Sequence, residues 1–502
     1  MKATAFIFCF LCINFFTQAQ VILVQDICPG PGVSRSSDPQ FITPFGSKLC
    51  FNAYDTGYGR ELWSYNDTIA TMVKDIRPGT NDGCYNANDH LHTYAVYGTK
   101  MYFSGNDGTH GDELFMYDGV NPPTMVADIN PGATSSSPNN YLTSGNKVYL
   151  IAYDAVYHYQ LFVFDPFTSI ATRKTSLPNE VYSGAGTSMT VYRGKLYFTG
   201  NDGITGNESY VYDLTSGSSS LFADIRPGAP SSSPNNYIVG NDTLYFSAQT
   251  STGTEQIFKY TGIDTPVQIT SLGTGFNGFS GHLIYFKNML VFSGDNADGK
   301  GVELYKYDIS TKTTSLVSDI YPGSSGSNPN NFCIYGSKLY FAANDGVHGS
   351  ELWAWDGTNT PYMFADIDSG GATSNSNPQG LIIWNGSLYM NATNTTAGTE
   401  LFKYTDTTLS VVNIRSGIDV KVYPVPSSGV TNIQLNLKTA TRISVQVYDI
   451  NGKQMYITNM QDYVVGDHTI PIDMSIWRPG NYYYRLVSNT NKTLAAGRLM
   501  KE

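Results

Sequence analysis

A chain of 502 residues with 49 glycines, 13% aromatic and 14% charged residues exceeds what one hydrophobic core can organise, so it divides into domains or grows by repetition. That balance favours short strands joined by tight turns over helices. Its 41 acidic residues against 30 basic ones give a net charge of −11 with no basic cluster, which opposes nucleic acid as a partner.

The opening MKATAFIFCFLCINFFTQAQ has Lys2, an apolar run from Ala5 to Phe16 and small Ala19. It reads as an export signal peptide over residues 1–19. The run is shorter than the roughly 20 apolar residues of a membrane span, and no later stretch approaches that length. We therefore expect no transmembrane span and a mature protein soluble after export. Bulky Leu11 before Cys12 argues against a lipid-anchored cysteine. Cys28, Cys50, Cys84 and Cys333 then remain; their spacing matches no zinc pattern, and outside the cytosol they could form two disulfides.

Between residues 22 and 417 one motif recurs eight times, at Glu61-Leu62-Trp63, Glu113-Leu114-Phe115, Gln160-Leu161-Phe162, Glu208-Ser209-Tyr210, Gln256-Ile257-Phe258, Glu303-Leu304-Tyr305, Glu351-Leu352-Trp353 and Glu400-Leu401-Phe402. The intervals are 47 to 52 residues, a period that marks a repeat architecture. A catalytic motif has no reason to recur in this way. One unit, FCIYGSKLYFAANDGVHGSELWAWDGTNTPYMFADI from Phe332 to Ile367, reads as four strands, a to d. A Gly-Ser turn joins a to b, an Asn-Asp-Gly loop joins b to c, and an Asp-Gly turn joins c to d, giving an antiparallel meander.

Such a sheet is apolar on both faces and must stack on copies of itself. The expected fold class is all-β, an eight-bladed β-propeller of four-stranded antiparallel blades. Seven blades with one repeat outside the ring is the alternative. Strand-d-like text occurs once more often than strand c, with the surplus at the termini, VILVQDI from Val21 and SVVNIRSG from Ser410. Either segment could complete the last blade.

Tryptophan and glycine landmarks of WD40 blades are absent. On ELWAWDGTN (Glu351–Asn359), ELFMYDG (Glu113–Gly119) and ADIRPG (Ala223–Gly228), the repeats resemble a family of exported bacterial proteins built from Glu-Leu-Trp-x-x-Asp-Gly-Thr units. The resemblance implies a secreted or surface-exposed propeller-like module.

In a meander the b–c and d–a connections emerge on one face. The d–a connections include DINPGATSSSPNNY, DIRPGAPSSSPNNY and DIYPGSSGSNPNNF, whose Asn139, Asn140, Asn235, Asn236, Asn330 and Asn331 are candidate ligand-binding residues for a glycan or protein. A plainer reading makes them turn formers. The b–c loops NDGTHGDE, NDGITGNE and NDGVHGSE pair Asp107 with Glu113, Asp202 with Glu208 and Asp345 with Glu351. These oxygen-rich, glycine-containing loops are candidate metal ligands, with calcium the possible cofactor; the plainer reading is a glycine-shaped hairpin closed by Asp. His110 and His348 stand where the third copy has Thr205, which speaks against a metal or catalytic role for them.

No nucleophile elbow, zinc-protease motif or phosphate-cradling glycine loop is present. The expectation is a non-enzymatic binding or adhesion protein. The alternative is a polysaccharide hydrolase or lyase, whose paired carboxylates leave no local motif. Repeats three, four and six depart from consensus: AYDAVYHYQLF lacks the Asp-Gly loop, while SLPNEVYSGAGTSM and SLGTGFNGFSG lack the Asp-Ile.

From residue 418 to 502 the period stops, and alternating strands with a turn at Asn451-Gly452 predict a small Ig-like β-sandwich. Tyr423-Pro424-Val425-Pro426, Val447-Tyr448-Asp449-Ile450-Asn451-Gly452-Lys453, Pro479-Gly480-Asn481-Tyr482 and Arg498-Leu499-Met500-Lys501 are similar to the C-terminal sorting domain of type IX secretion cargo. Val425 departs, because that family usually has Asn between the prolines. The resemblance implies a type IX secretion translocon as partner, and a secreted or outer-membrane-associated surface location.

Overall fold

The computed structural model describes residues 21–29, 36–84, 93–181, 189–273, 283–371, 374–406, 419–424, 426–449, 454–488 and 493–501. The expected signal peptide, Val425, Gly452 and Lys453 lie outside them. Every regular element among the described residues is a β-strand, and the chain divides into two compact units, one ending at Tyr404 and the other beginning at Thr405.

The first unit is an eight-bladed propeller of four-stranded sheets. Blades 1 to 7 run from Gln40 to Lys74, Ala95 to Ala127, Asn139 to Arg173, Thr190 to Ala223, Asn235 to Gln268, Ile284 to Ser318 and Asn330 to Ala365. Blade 8 takes three strands from Gln379 to Tyr404 and a fourth, Val21–Gln25, from the start of the chain. The N-terminal candidate thus completes the last blade, while residues 410–417 lie outside the described ones.

Alternation along each strand explains the stacking. In blade 7, Leu339, Phe341, Ala343, Trp353 and Trp355 pack against Phe286, Val291 and Leu304 of blade 6, while Tyr340, Leu352 and Ala354 pack against Leu388, Met390 and Phe402 of blade 8. With a side-chain period of two, one strand feeds two separate interfaces. The last interface closes the ring, setting Trp384, Tyr389 and Leu401 against Leu49, Phe51 and Trp63. All eight repeats are therefore inside it.

Blades 2, 4 and 6 differ from the rest in a way that is visible residue by residue. Opposite the motif's Glu or Gln, strand b has Ala53, Ala152, Ala248, Ala343 and Ala392 in blades 1, 3, 5, 7 and 8, but Gly105, Gly200 and Gly294 in blades 2, 4 and 6. A Cβ on Gly105 would lie 2.8 Å from the Phe115 ring, and one on Gly200 2.5 Å from Leu177 Cδ1. The glycine makes room for a neighbouring side chain. These three blades also have an inner strand a of only three residues, against six, with a bulge, in the other five.

None of Cys28, Cys50, Cys84 and Cys333 is in a disulfide. Cys50 and Cys84 are core residues of one interblade cluster, and burial pushes the Cys50 thiol up to about 12.

The second unit is a sandwich. Asp419–Tyr423, Val430–Leu437 and Gly466–Asp473 form one sheet, and Gln454–Ile457, Thr441–Asp449, Gly480–Ser488 and Thr493–Lys501 the other. Ile433, Leu435, Ile470 and Ile472 from the first meet Val445, Val447, Leu486 and Leu499 from the second.

Candidate binding face and sorting unit

The motif's glutamate is fully buried in six blades and ties the b–c hairpin to the d–a connection that follows. Glu113 accepts from Ile129 N at 2.7 Å, Ser136 N at 2.8 Å and Ser136 Oγ at 2.6 Å. Glu208 bonds in the same way to Ile225 and Ser232, Glu303 to Ile320 and Ser327, Glu351 to Ile367 and Ser376, and Glu400 to Ile27 and Ser37. Desolvation outweighs these bonds and raises each carboxyl; Glu61 and Glu400 are pushed up to about 7.

In blades 3 and 5 the glutamate is Gln160 or Gln256, and the connection changes to match. Gln160 Oε1 accepts from Thr175 Oγ1 and Leu177 N while its Nε2 donates to Leu177 O; Gln256 does the same with Thr270 and Leu272. An amide both donates and accepts, so its partner must offer a carbonyl where a glutamate needs only N–H and O–H donors. Loss of Asp-Ile from the following segments is the same event seen from the other side.

The six candidate metal ligands sit within these hydrogen bonds. Asp107 Oδ1 accepts from Thr109 N and His110 N, and its Oδ2 meets His110 Nδ1 at 2.8 Å. Asp345 repeats this with Val347 and His348. Asp202 bonds Ile204 N, Thr205 N and Thr205 Oγ1, so Thr205 stands in for the histidine as a second donor. Donation of a hydrogen bond to Asp107 raises the pKa of His110, and donation to Asp345 raises that of His348. Glu113, Glu208 and Glu351 face the crossovers as described. Among the described residues no group of three or more His, Cys, Asp or Glu is placed to hold a metal ion.

The second loop glycine packs against the crossover. A Cβ on Gly111 would lie 2.7 Å from Ser135 N and one on Gly206 2.7 Å from Ala229 O, with φ at +77° and +73°. Loop and crossover therefore form one packed layer on this face.

Five crossovers share a Ser-x-Pro signature that the motif search missed, at Ser37, Ser136, Ser232, Ser327 and Ser376. Each serine is fully buried or nearly so. The residue between Ser and Pro is left-handed in all five, with φ from 41° to 48° at Asp38, Ser137, Ser233, Asn328 and Asn377. Recurrent Ser-x-Pro immediately before strand a was the available signal.

The candidate asparagines follow these prolines. Asn139, Asn235 and Asn330 begin strand a and are partly buried or exposed; Asn140, Asn236 and Asn331 are buried and left-handed at φ 50°, 55° and 56°. Asn tolerates that region better than most residues, so the second asparagine of each pair shapes the bulge. Asn139 Nδ2 donates to Ser137 O, while its Oδ1 is buried without a hydrogen-bond partner. Gln40 and Gln379 occupy the first position in blades 1 and 8.

In the second unit some of the residues expected to carry the sorting motif, far apart in sequence, meet through strand ends. Ser427 N, just after Pro426, donates to Met500 O, and Lys501 Nζ donates to Ser428 O. Lys501 pairs with Gly480, and Asp449 with Tyr482. Pro424 O accepts from Thr431 Oγ1, Tyr482 OH donates to Arg478 O, and Tyr448 OH bonds Gln446 Oε1. Tyr423 is exposed.

Fold and site define an eight-bladed propeller followed by a sorting sandwich. Residues 421–497 match the family described as secretion system C-terminal sorting domain. The chain is accordingly exported to the cell surface or beyond. No protein of curated function matches the sequence. Among solved structures, similar ones include PorZ, a surface component of the type-IX secretion system of Porphyromonas gingivalis, at 12% identity over 92% of this chain and 75% of that one, with a TM-score of 0.39. A puromycin-hydrolyzing peptidase of Mycobacterium tuberculosis is 11% identical over 72% of this chain, which spans 60% of the peptidase, with a TM-score of 0.46. An oligogalacturonate lyase is 12% identical over 62% of this chain and 87% of that one, with a TM-score of 0.40. Similarities this distant bear on neither activity nor ligand. Among the described residues no helix is long and apolar enough to cross a membrane.

Proposed function

We propose that this is a non-enzymatic binding protein, delivered by the type IX translocon through its C-terminal unit, whose propeller recognises a glycan or surface protein with the face carrying the b–c and d–a connections. One observation carries this reading. Five crossovers are fixed in a single geometry by a buried Glu–Ser pair, and four of them set a partly exposed amide side chain, Asn139, Asn235, Asn330 or Gln379, at the start of an inner strand, while Gln40 in the fifth is buried. A rigid scaffold repeating one polar group around a ring suits recognition of a repetitive polar ligand.

The test is a glycan array and a pull-down with the full chain and its N139A/N235A/N330A variant, which keeps the left-handed Asn140, Asn236 and Asn331. Saturable binding weakened roughly tenfold or more is expected. Binding indifferent to the three changes overturns the role of the amides.

A further inference from the structure

The b–c loop of blade 3, Asp154-Ala155-Val156-Tyr157-His158, is unlike its sisters. Two residues before the motif's Glu or Gln, blade 5 has the small Thr254 and six blades have a glycine with φ between 68° and 81°: Gly59, Gly111, Gly206, Gly301, Gly349 and Gly398. At five of these a Cβ would come within 2.7 Å of the neighbouring crossover. Blade 3 has His158 there, still left-handed at φ 60°. Its crossover has the Thr-Ser-Leu form that pairs with Gln160, and it leaves space for a side chain.

The His158 side chain there joins a group of aromatic rings. His158 stacks on Tyr153 at 5.7 Å with an interplanar angle of 7°, and Tyr159 meets Tyr153 edge-on at 5.6 Å. Arg173 lies 4.0 Å from the centre of the Tyr157 ring and is held by Asp154 at 2.7 Å. Asp154 also fixes the loop by accepting from Val156 N and Tyr157 N. Tyr153 N donates to Ser136 O, which fastens the cluster to the crossover that carries Asn139. Val156, Tyr157 and His158 are nevertheless exposed. A loop needing only to turn is served by glycine, as six sister blades demonstrate, whereas exposed Val156 and Tyr157 beside a stacked, left-handed His158 are what a binding surface requires.

We propose that this loop is a carbohydrate platform: the Tyr153–His158 stack and Tyr157 receive the apolar C–H face of a neutral pyranose unit, and the Asp154–Arg173 pair at the edge bonds its hydroxyls. The charges of that pair cancel, so an anionic sugar gains nothing over a neutral one. The platform rests on the binding role proposed for the loop face, and names its ligand class and its blade.

The test is affinity electrophoresis of the full chain through gels containing laminarin, xylan, mannan or dextran, comparing wild type with Y157A/H158G. His158→Gly restores the residue of the sister blades, so the fold is retained, and an unchanged melting temperature verifies it. Retardation by at least one of these polysaccharides, with an apparent Kd raised roughly tenfold or more in the double variant, supports the platform. Wild-type retardation that the double variant keeps overturns it. Where N139A/N235A/N330A alone abolishes that retardation, the loop-face reading stands without the platform. A wild type retarded by none of the four overturns the platform even if a protein partner is captured.

Discussion

At the scale of single residues, the motif that dominates the sequence is a fastening. Spacing along the chain sets Asp107 six residues from Glu113 and invites a metal reading, but the partners of Glu113 are Ile129 and Ser136, on the far side of strand d. No local pattern displays that reach. The glutamates also make stability depend on pH. A carboxyl whose pKa is higher in the folded than in the unfolded chain stabilises the fold below the unfolded value, and that contribution is lost as the pH rises through the folded one. For Glu61 and Glu400 the window runs from the ordinary carboxylate range up to about 7. His110 and His348, also raised, act in the same direction. The melting temperature should therefore be a few degrees higher at about pH 5.5 than at about pH 8. In Glu400→Gln the difference should shrink, whatever the absolute loss, because an amide does not titrate. A pH difference equal to wild type would refute the assignment to Glu400.

At the scale of elements, the weakest joint of a ring is where first meets last, and here it is reinforced four times. Strand Val21–Gln25 becomes the outer strand of blade 8. Gln25 exchanges two hydrogen bonds with Ala70 of blade 1, at 3.2 and 2.9 Å. Asp67 of blade 1 accepts from Asn385, Tyr389 and Lys403 of blade 8, and Asp38 binds both Arg60 and Asn391. Deleting residues 21–27 should lower the melting temperature by roughly ten degrees or more, since it removes a strand and one donor to Glu400, and should admit protease between blades 8 and 1. Calorimetry with limited proteolysis checks this; an unchanged melt would mean the ring closes without that strand. Much of this level was legible in sequence. A 48-residue period and two-faced apolar strands gave blades, antiparallel order and the loop face directly. The closing strand was not, because VILVQDI and SVVNIRSG have the same apolar pattern, and only pairing with Gly398–Tyr404 separates them. Nor was the alternation of Ala and Gly in strand b, a one-carbon difference whose cause, the ring of Phe115 or the side chain of Leu177, lies elsewhere in the chain.

For the molecule as a whole, the sorting unit and the face proposed for recognition belong to separate units, and they were unequally legible. The sorting unit announced itself because its pieces are short words fixed by turn geometry, whereas the aromatic loop of blade 3 looked only like a lapsed repeat until its rings were seen together. The sorting pieces also define what the last residues contribute. Lys501 pairs with Gly480 and donates to Ser428 O, and Met500 O accepts from Ser427 N, so the chain end joins the first and third pieces. Removing residues 498–502 exposes those edge groups and the core position of Leu499, and a translocon reading the assembled strand ends loses its target. A reporter placed between residues 1–20 and residues 405–502, so that it keeps the expected signal peptide, and expressed in a bacterium with this secretion system, should reach the surface or medium, while the truncated form accumulates in the periplasm. Lys501→Ala, which loses one hydrogen bond and keeps the strand, should retain most export. If the truncated fusion is exported as well as the intact one, recognition does not depend on the assembled end, and cell fractionation decides between the two.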